Sequence, residues 1–127
     1  MKCGDTFEVK RVFTKADVEK FVEISGDRNP PHITLNEKGQ LVVHGLLTAT
    51  LPSIVGGKLN VTGREFQVEW FKPVYTDDEV TCKIILDKIA YQETRTKVTA
   101  VFEIYNQSAE KVSSGHFFGL IYNVMQN

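Results

Sequence analysis

The chain has little material for cross-linking and none for crossing a bilayer as a helix. Two cysteines, Cys3 and Cys82, occur among 127 residues, far apart and in no motif. No disulfide framework is therefore expected, although a single bridge between them is conceivable, and a reducing cytoplasmic setting is the simplest expectation. Three histidines, His32, His44 and His116, are scattered and show no ligand spacing with those thiols, so no metal site is expected. No apolar run approaches the roughly 18 residues that a spanning helix needs. The opening Met1-Lys2-Cys3-Gly4-Asp5 lacks the apolar core of a secretory signal. A net charge of −1 leaves no electrostatic case for nucleic acid or an anionic membrane as the main partner. Repeats, low-complexity tracts, linkers and blocks of like charge are also missing.

What is present is ordinary globular material. Apolar residues make up 42% and charged residues 24% of the chain. The length suits one core but not two, so residues 1–127 are expected to form a single domain. Phe7 and Val9 alternate with Glu8 and Lys10, the pattern of a short first strand reaching Val12. Thr14 is a good N-cap, and Asp17 at the third helical position comes close to a capping box. From Lys15 to Ile24, the residues Val18, Phe21 and Val22 fall at i, i+3 and i+4. That spacing predicts an amphipathic helix stopped by Gly26 and the prolines beyond it. A second helix is predicted to start near His44-Gly45. Leu46 to Val55 is apolar on almost every side, as in a helix enclosed by other structure, with Pro52 bending it and Gly56-Gly57 ending it.

The remainder alternates as strand: Phe66, Val68 and Trp70; Val80, Cys82, Ile84 and Leu86; Val98, Ala100, Phe102 and Ile104; His116, Phe118, Leu120, Tyr122 and Val124. Asp77-Asp78 and Asn106-Gln107-Ser108 supply turns between them. One enclosed helix followed by four antiparallel strands predicts an α+β domain, with a curled antiparallel sheet around one central helix. On this pattern His116 is a core or interface histidine. Trp70, Phe71, Phe117 and Phe118 read as sheet core rather than a ligand cage.

Two stretches carry chemistry: Ile24-Ser25-Gly26-Asp27-Arg28-Asn29-Pro30-Pro31-His32, and His44-Gly45-Leu46-Leu47 twelve residues after His32. Pro30 and Pro31 lack backbone donors, fix φ and push Asn29 towards extended geometry, so the segment is expected to be a stiff loop rather than regular helix. On such a loop an acid and an imidazole can converge on one water or one substrate proton. Their ordinary pKa values, about 3.9 and about 6.5, pair an ionised carboxylate with a ring that exchanges a proton near neutrality. A helix starting at Gly45 would offer unpaired N–H groups to a developing oxyanion, and glycine admits close approach. Each residue also has a plain structural reading: Asp27 as a turn residue, His32 as loop packing, His44 as structural.

Ser-Gly-Asp-x-Asn-Pro-x-His followed by His-Gly-Leu-Leu resembles the MaoC-like, (R)-specific enoyl-CoA hydratases of the hot-dog fold. Phe71-Lys72-Pro73-Val74-Tyr75 and Asp78-Glu79-Val80 are similar to that family's strand entry, and the resemblance runs over residues 5–124. It implies hydration of trans-2-enoyl thioesters and dehydration of (R)-3-hydroxyacyl thioesters, carried on coenzyme A or acyl carrier protein, without a cofactor. It further implies that Asp27 and His32 hold the reacting water and that the Gly45 N–H binds the thioester oxygen. Ser53 matches the family's site serine, Asn29 the motif's asparagine, and two subunits pair into a continuous sheet as a homodimer. The segment between His32 and His44 is several residues shorter than usual, so acyl-length preference does not transfer. The competing readings are a hot-dog thioesterase, disfavoured because Leu46 to Val55 holds no Asp or Glu, and a non-catalytic acyl-thioester binder, which would not need both Asp27 and His32.

Overall fold

A computed structural model describes residues 1–123 of the chain. Strand β1 (Thr6–Val12) leads into helix α1 (Lys15–Ser25), whose start is a full capping box. Asp17 N–H donates to Thr14 Oγ1 at 3.1 Å and Thr14 N–H donates to Asp17 Oδ2 at 2.9 Å. Gly26 ends α1 in the left-handed region at φ 74°, its N–H closing on Val22 O. This is one of the places where a Cβ would be strained.

Five strands form the main sheet in the order β1-β5-β6-β7-β3, every neighbour antiparallel. They are β3 (Thr62–Trp70), β5 (Glu79–Tyr91), β6 (Arg95–Tyr105) and β7 (Lys111–Tyr122) beside β1. A two-stranded ribbon pairs β2 (Val42–Val43) with β4 (Val74–Tyr75). The central helix comes as two pieces, α3 (Gly45–Thr48) and α4 (Thr50–Lys58), whose Leu51 and Val55 join Ile84, Leu86, Val98, Ala100 and Phe102 in the core. This is the curled antiparallel sheet around a central helix that the sequence predicts.

Several local expectations are corrected. The Asp27–His32 stretch is not wholly irregular: Pro30–Ile33 forms one helical turn, α2. The prolines take its first two positions, where a missing N–H removes no intrahelical bond, and Asn29 before them is extended at ψ 134°. Pro52 does more than bend the central helix, because the α-helical run is broken at Ala49 (φ −68°, ψ −6°). An unbroken helix would set the proline ring against the carbonyl four residues back, that of Thr48. Gly56 and Gly57 lie inside α4, which runs on to Lys58. Nor is the helix enclosed on all sides, since Leu46 is 63% exposed.

The core positions of β5 and β6 are as expected. In β7 the expectation holds in part: Phe117 pairs with the inward Ala100 and is buried, as is Leu120, whereas His116 is exposed and is no core histidine. Val124, expected at the end of that strand, lies outside the described residues. Trp70 and Phe71, expected in the sheet core, are about half exposed at the end of edge strand β3. Cys3 is an exposed free thiol and Cys82 a buried one, so they form no bridge.

Candidate functional site: an aspartate, two histidines and a helix start

A chain of short hydrogen bonds presents Asp27. Past the Gly26 cap, the Asp27 N–H donates to Ser25 Oγ at 3.0 Å, and the Asn29 N–H returns to Asp27 Oδ1 at 3.1 Å. One carboxylate oxygen is thereby anchored and Oδ2 is left to face the site. Asn29 thus holds the loop through its backbone, as the N-cap residue of α2, with no side-chain capping bond.

His32 sits on the α2 turn with its side chain 11% exposed. The short connection after α2 turns at Asn36 to Gly39 and brings β2 back, so that Val42 O lies 2.7 Å from His32 Nδ1. A carbonyl can only accept, so Nδ1 carries a proton, and the tautomer that this contact selects has its lone pair at Nε2. That Nε2 lies 3.9 Å from Asp27 Oδ2. The gap is too long for a direct hydrogen bond.

His44 is 2% exposed and lies face to face with His32, centroids 3.8 Å apart and planes 17° apart. Its Nε2 is 3.0 Å from Asp27 O, and Phe21 of α1 meets its ring edge-on at 4.8 Å. The next residue, Gly45, opens α3. Trp70 packs against it: the indole N–H donates to Gly45 O at 3.0 Å, and a Cβ on residue 45 would come within 2.7 Å of the ring. Gly45 is therefore small because an indole lies against it.

These residues line a cavity of about 490 Å³. Asp27, His32, His44, Gly45, Trp70 and Phe71 are on its wall, with Val43, Val74, Val112 and Ser113 among the buried remainder. Among the described residues, two buried side-chain polar atoms have no hydrogen-bond partner, His44 Nδ1 and Ser113 Oγ. Both residues line this cavity. A volume of this size, mostly apolar with a few converging polar groups, is in the usual range of a small-molecule site.

The structure brings Asp27, His32 and Gly45 to one cavity and leaves Ser53 outside it. Ser53 Oγ donates to Thr50 O at 2.6 Å, and the residue lines a second cavity of about 350 Å³ with Arg64, Phe66 and Phe117. Two of the histidines are not scattered, since Asp27, His32 and His44 each bring one donor atom within 4.8 Å of the others. The rings lie in nearly parallel planes with centroids 3.8 Å apart, so one ion could not lie in the plane of both, which does not suit chelation. Sequence reading missed His44 as a partner of His32 and Trp70 as a wall of the site. Nothing in their spacing signals either contact; only the turn at Pro30–Ile33 and the β3–β7 pairing create them.

Comparison with known proteins gives sequence relatives and structural neighbours. No family profile matches the sequence. The chain is 29% identical over 109 residues to the mitochondrial 3-hydroxyacyl-[acyl-carrier-protein] dehydratase of Arabidopsis thaliana, covering 80% of this chain and 64% of that protein. The match thus spans slightly less than two thirds of the plant protein. It is 27% identical over 113 residues to 3-hydroxybutyryl-CoA dehydratase of Methylorubrum extorquens, covering 82% of this chain and 72% of that one. The solved (R)-hydratase from A. caviae superposes with a TM-score of 0.83 over 96% of this chain and 97% of its own, at 22% identity, which shows a shared fold. By sequence the chain is similar to these two dehydratases, and it shares the hot-dog fold of the MaoC-like, (R)-specific hydratases.

Proposed function

We propose that the chain adds water across trans-2-enoyl thioesters to give (R)-3-hydroxyacyl thioesters and catalyses the reverse dehydration. The observation that carries this reading is the 3.9 Å separation of Asp27 Oδ2 from His32 Nε2 at the wall of the cavity. A water about 2.8 Å from each fits between two acceptors at that spacing and can donate one proton to each. Its oxygen is then free to attack the β-carbon. The water supplies the hydroxyl, the Asp27/His32 pair takes its proton and returns one to the α-carbon, and the thioester oxygen gathers enolate charge against the Gly45 N–H. One H–OH is consumed and no electron changes hands, so no redox cofactor is required.

Asn29 serves by holding Asp27, and Ser53 takes no part in the proton transfers. The carrier is coenzyme A or acyl carrier protein, the thioesters named for the two curated relatives. We also propose a homodimer in a reducing cytoplasmic setting. Edge strand β3 has a neighbour on one side, and Phe66 and Trp70 on it are about half exposed, which supports pairing of two copies through β3. The deciding experiment is hydration of crotonyl-CoA, followed by loss of enoyl-thioester absorbance, with chiral analysis of the product and a thiol reagent in parallel. (R)-3-hydroxybutyryl-CoA without thiol release is the expected result. Thiol release would make the protein a thioesterase, and binding without turnover of coenzyme A or acyl-carrier substrates would make it an acyl-thioester binder.

A further inference from the structure

His44 contacts both Asp27 and His32, yet it takes no part in the reaction proposed above. Its ring face covers that of His32 at 3.8 Å. Its Nε2 reaches the backbone carbonyl of Asp27 at 3.0 Å, so Nε2 is the protonated nitrogen and donates. Its own carbonyl receives the Thr48 N–H at 3.0 Å and the Thr48 hydroxyl at 3.3 Å, which fixes the first turn of α3 where Gly45 stands. Phe21 closes the remaining side of the ring, and the residue is 2% exposed.

Asp27 and His32 are each held separately, Oδ1 by the Asn29 N–H and Nδ1 by Val42 O, and neither bond sets the distance between the two side chains. The Asp27 side chain is 52% exposed, and no direct hydrogen bond joins it to His32 at 3.9 Å. The turn α2 that carries His32 is four residues long. A pair that must share one water needs its separation held closely, because a 1 Å misplacement can cost about a hundredfold in rate. His44 links the two partners directly, one through its ring face and one through its N–H. Resting on the hydratase reading above, we propose that His44 is the positioning residue of the Asp27/His32 pair, setting the carboxylate-to-imidazole distance without touching the reacting atoms.

Two variants separate its two contacts. His44→Phe keeps a flat ring against His32 and loses the donor to Asp27 O. His44→Gln keeps a donor at the Nε2 position and loses the ring. With crotonyl-CoA, kcat is expected to fall about a hundredfold in His44→Phe while KM stays within about twofold, and His44→Gln is expected to recover part of the loss. An unchanged kcat in both variants, or a loss confined to KM, would overturn the proposal.

A second measurement does not depend on turnover, and its first arm uses the intact protein. Long-range proton–nitrogen NMR correlations of the imidazoles should show His44 protonated at Nε2 and His32 at Nδ1, both with ring-current-shifted protons. In His44→Gln, the His32 protons should lose that shift. A His44 protonated at Nδ1, or His32 signals indifferent to residue 44, would refute the role. If the wild type hydrates no enoyl thioester, the lyase reading fails, and the tautomers still decide whether His44 bridges the pair.

Discussion

Asp27→Asn separates the proposed chemistry from the fold. Asparagine has the same shape, and its Oδ1 can still accept the Asn29 N–H now 3.1 Å away, so the anchor of the loop survives. The other atom changes sign: Oδ2, an acceptor 3.9 Å from His32 Nε2, becomes an amide donor. A water between them would then meet one acceptor instead of two and would have no carboxylate to take its proton. Loss of one acid/base partner costs about 10²- to 10⁴-fold in rate, or about 3–5 kcal/mol of barrier at 1.36 kcal/mol per tenfold. The side chain is 52% exposed and in no packed core, so stability should change by no more than about 0.5 kcal/mol. The assay is kcat and KM for crotonyl-CoA hydration, with thermal unfolding of the same preparations. Activity within about tenfold of wild type, with unfolding unchanged, would refute the shared-water reasoning. A variant unstable by several kcal/mol would show that the loop anchor needs the charge.

Three further outcomes follow from the fold. Asp17 is held below the usual carboxyl value of 3.8 chiefly by the Thr14 backbone N–H, then by the Thr14 hydroxyl and the nearby Arg11 and Lys20. With its folded value lowered, its stabilisation is present above pH 3.8 and fades as pH falls through the folded value. Asp17→Ala should therefore cost about 1 kcal/mol in urea unfolding at neutral pH and less in acid, whereas a penalty equal at both would contradict the capping role. Burial pushes the Cys82 thiol up to about 12, while Cys3 is exposed. A thiol reagent should label one cysteine in the native protein and two after denaturation; two labelled natively would place Cys82 outside the core. At Gly115 an added Cβ would lie 1.9 Å from Gln67 O on β3, a backbone atom that cannot swing aside. Gly115→Ala should loosen the β3–β7 pairing, lower the unfolding temperature and raise amide exchange along β3, and an unperturbed β3 would refute the contact.

The sequence by itself determined the elements whose reasons are local. Thr14 and Asp17 cap α1 whatever surrounds them, Gly26 ends it because a left-handed residue is needed there, and the alternation in β5 and β6 puts Val80 to Leu86 and Val98 to Ile104 on one buried face. The Asp27-to-His32 motif was legible for a similar reason, since Gly26, Asn29 and the prolines constrain the backbone through which both side chains are presented. Tertiary structure decided the rest. Period-two patterning put His116 on the apolar face of β7, and pairing of Phe117 with the inward Ala100 turned His116 outward instead. Trp70 carries a core-like residue type but stands at the end of an edge strand, where it covers Gly45 instead of filling the sheet. His44 is twelve residues from His32 and seventeen from Asp27. Its hold on both exists because β2 returns against α2 and the central helix begins there, a contact made by chain reversal and not by spacing.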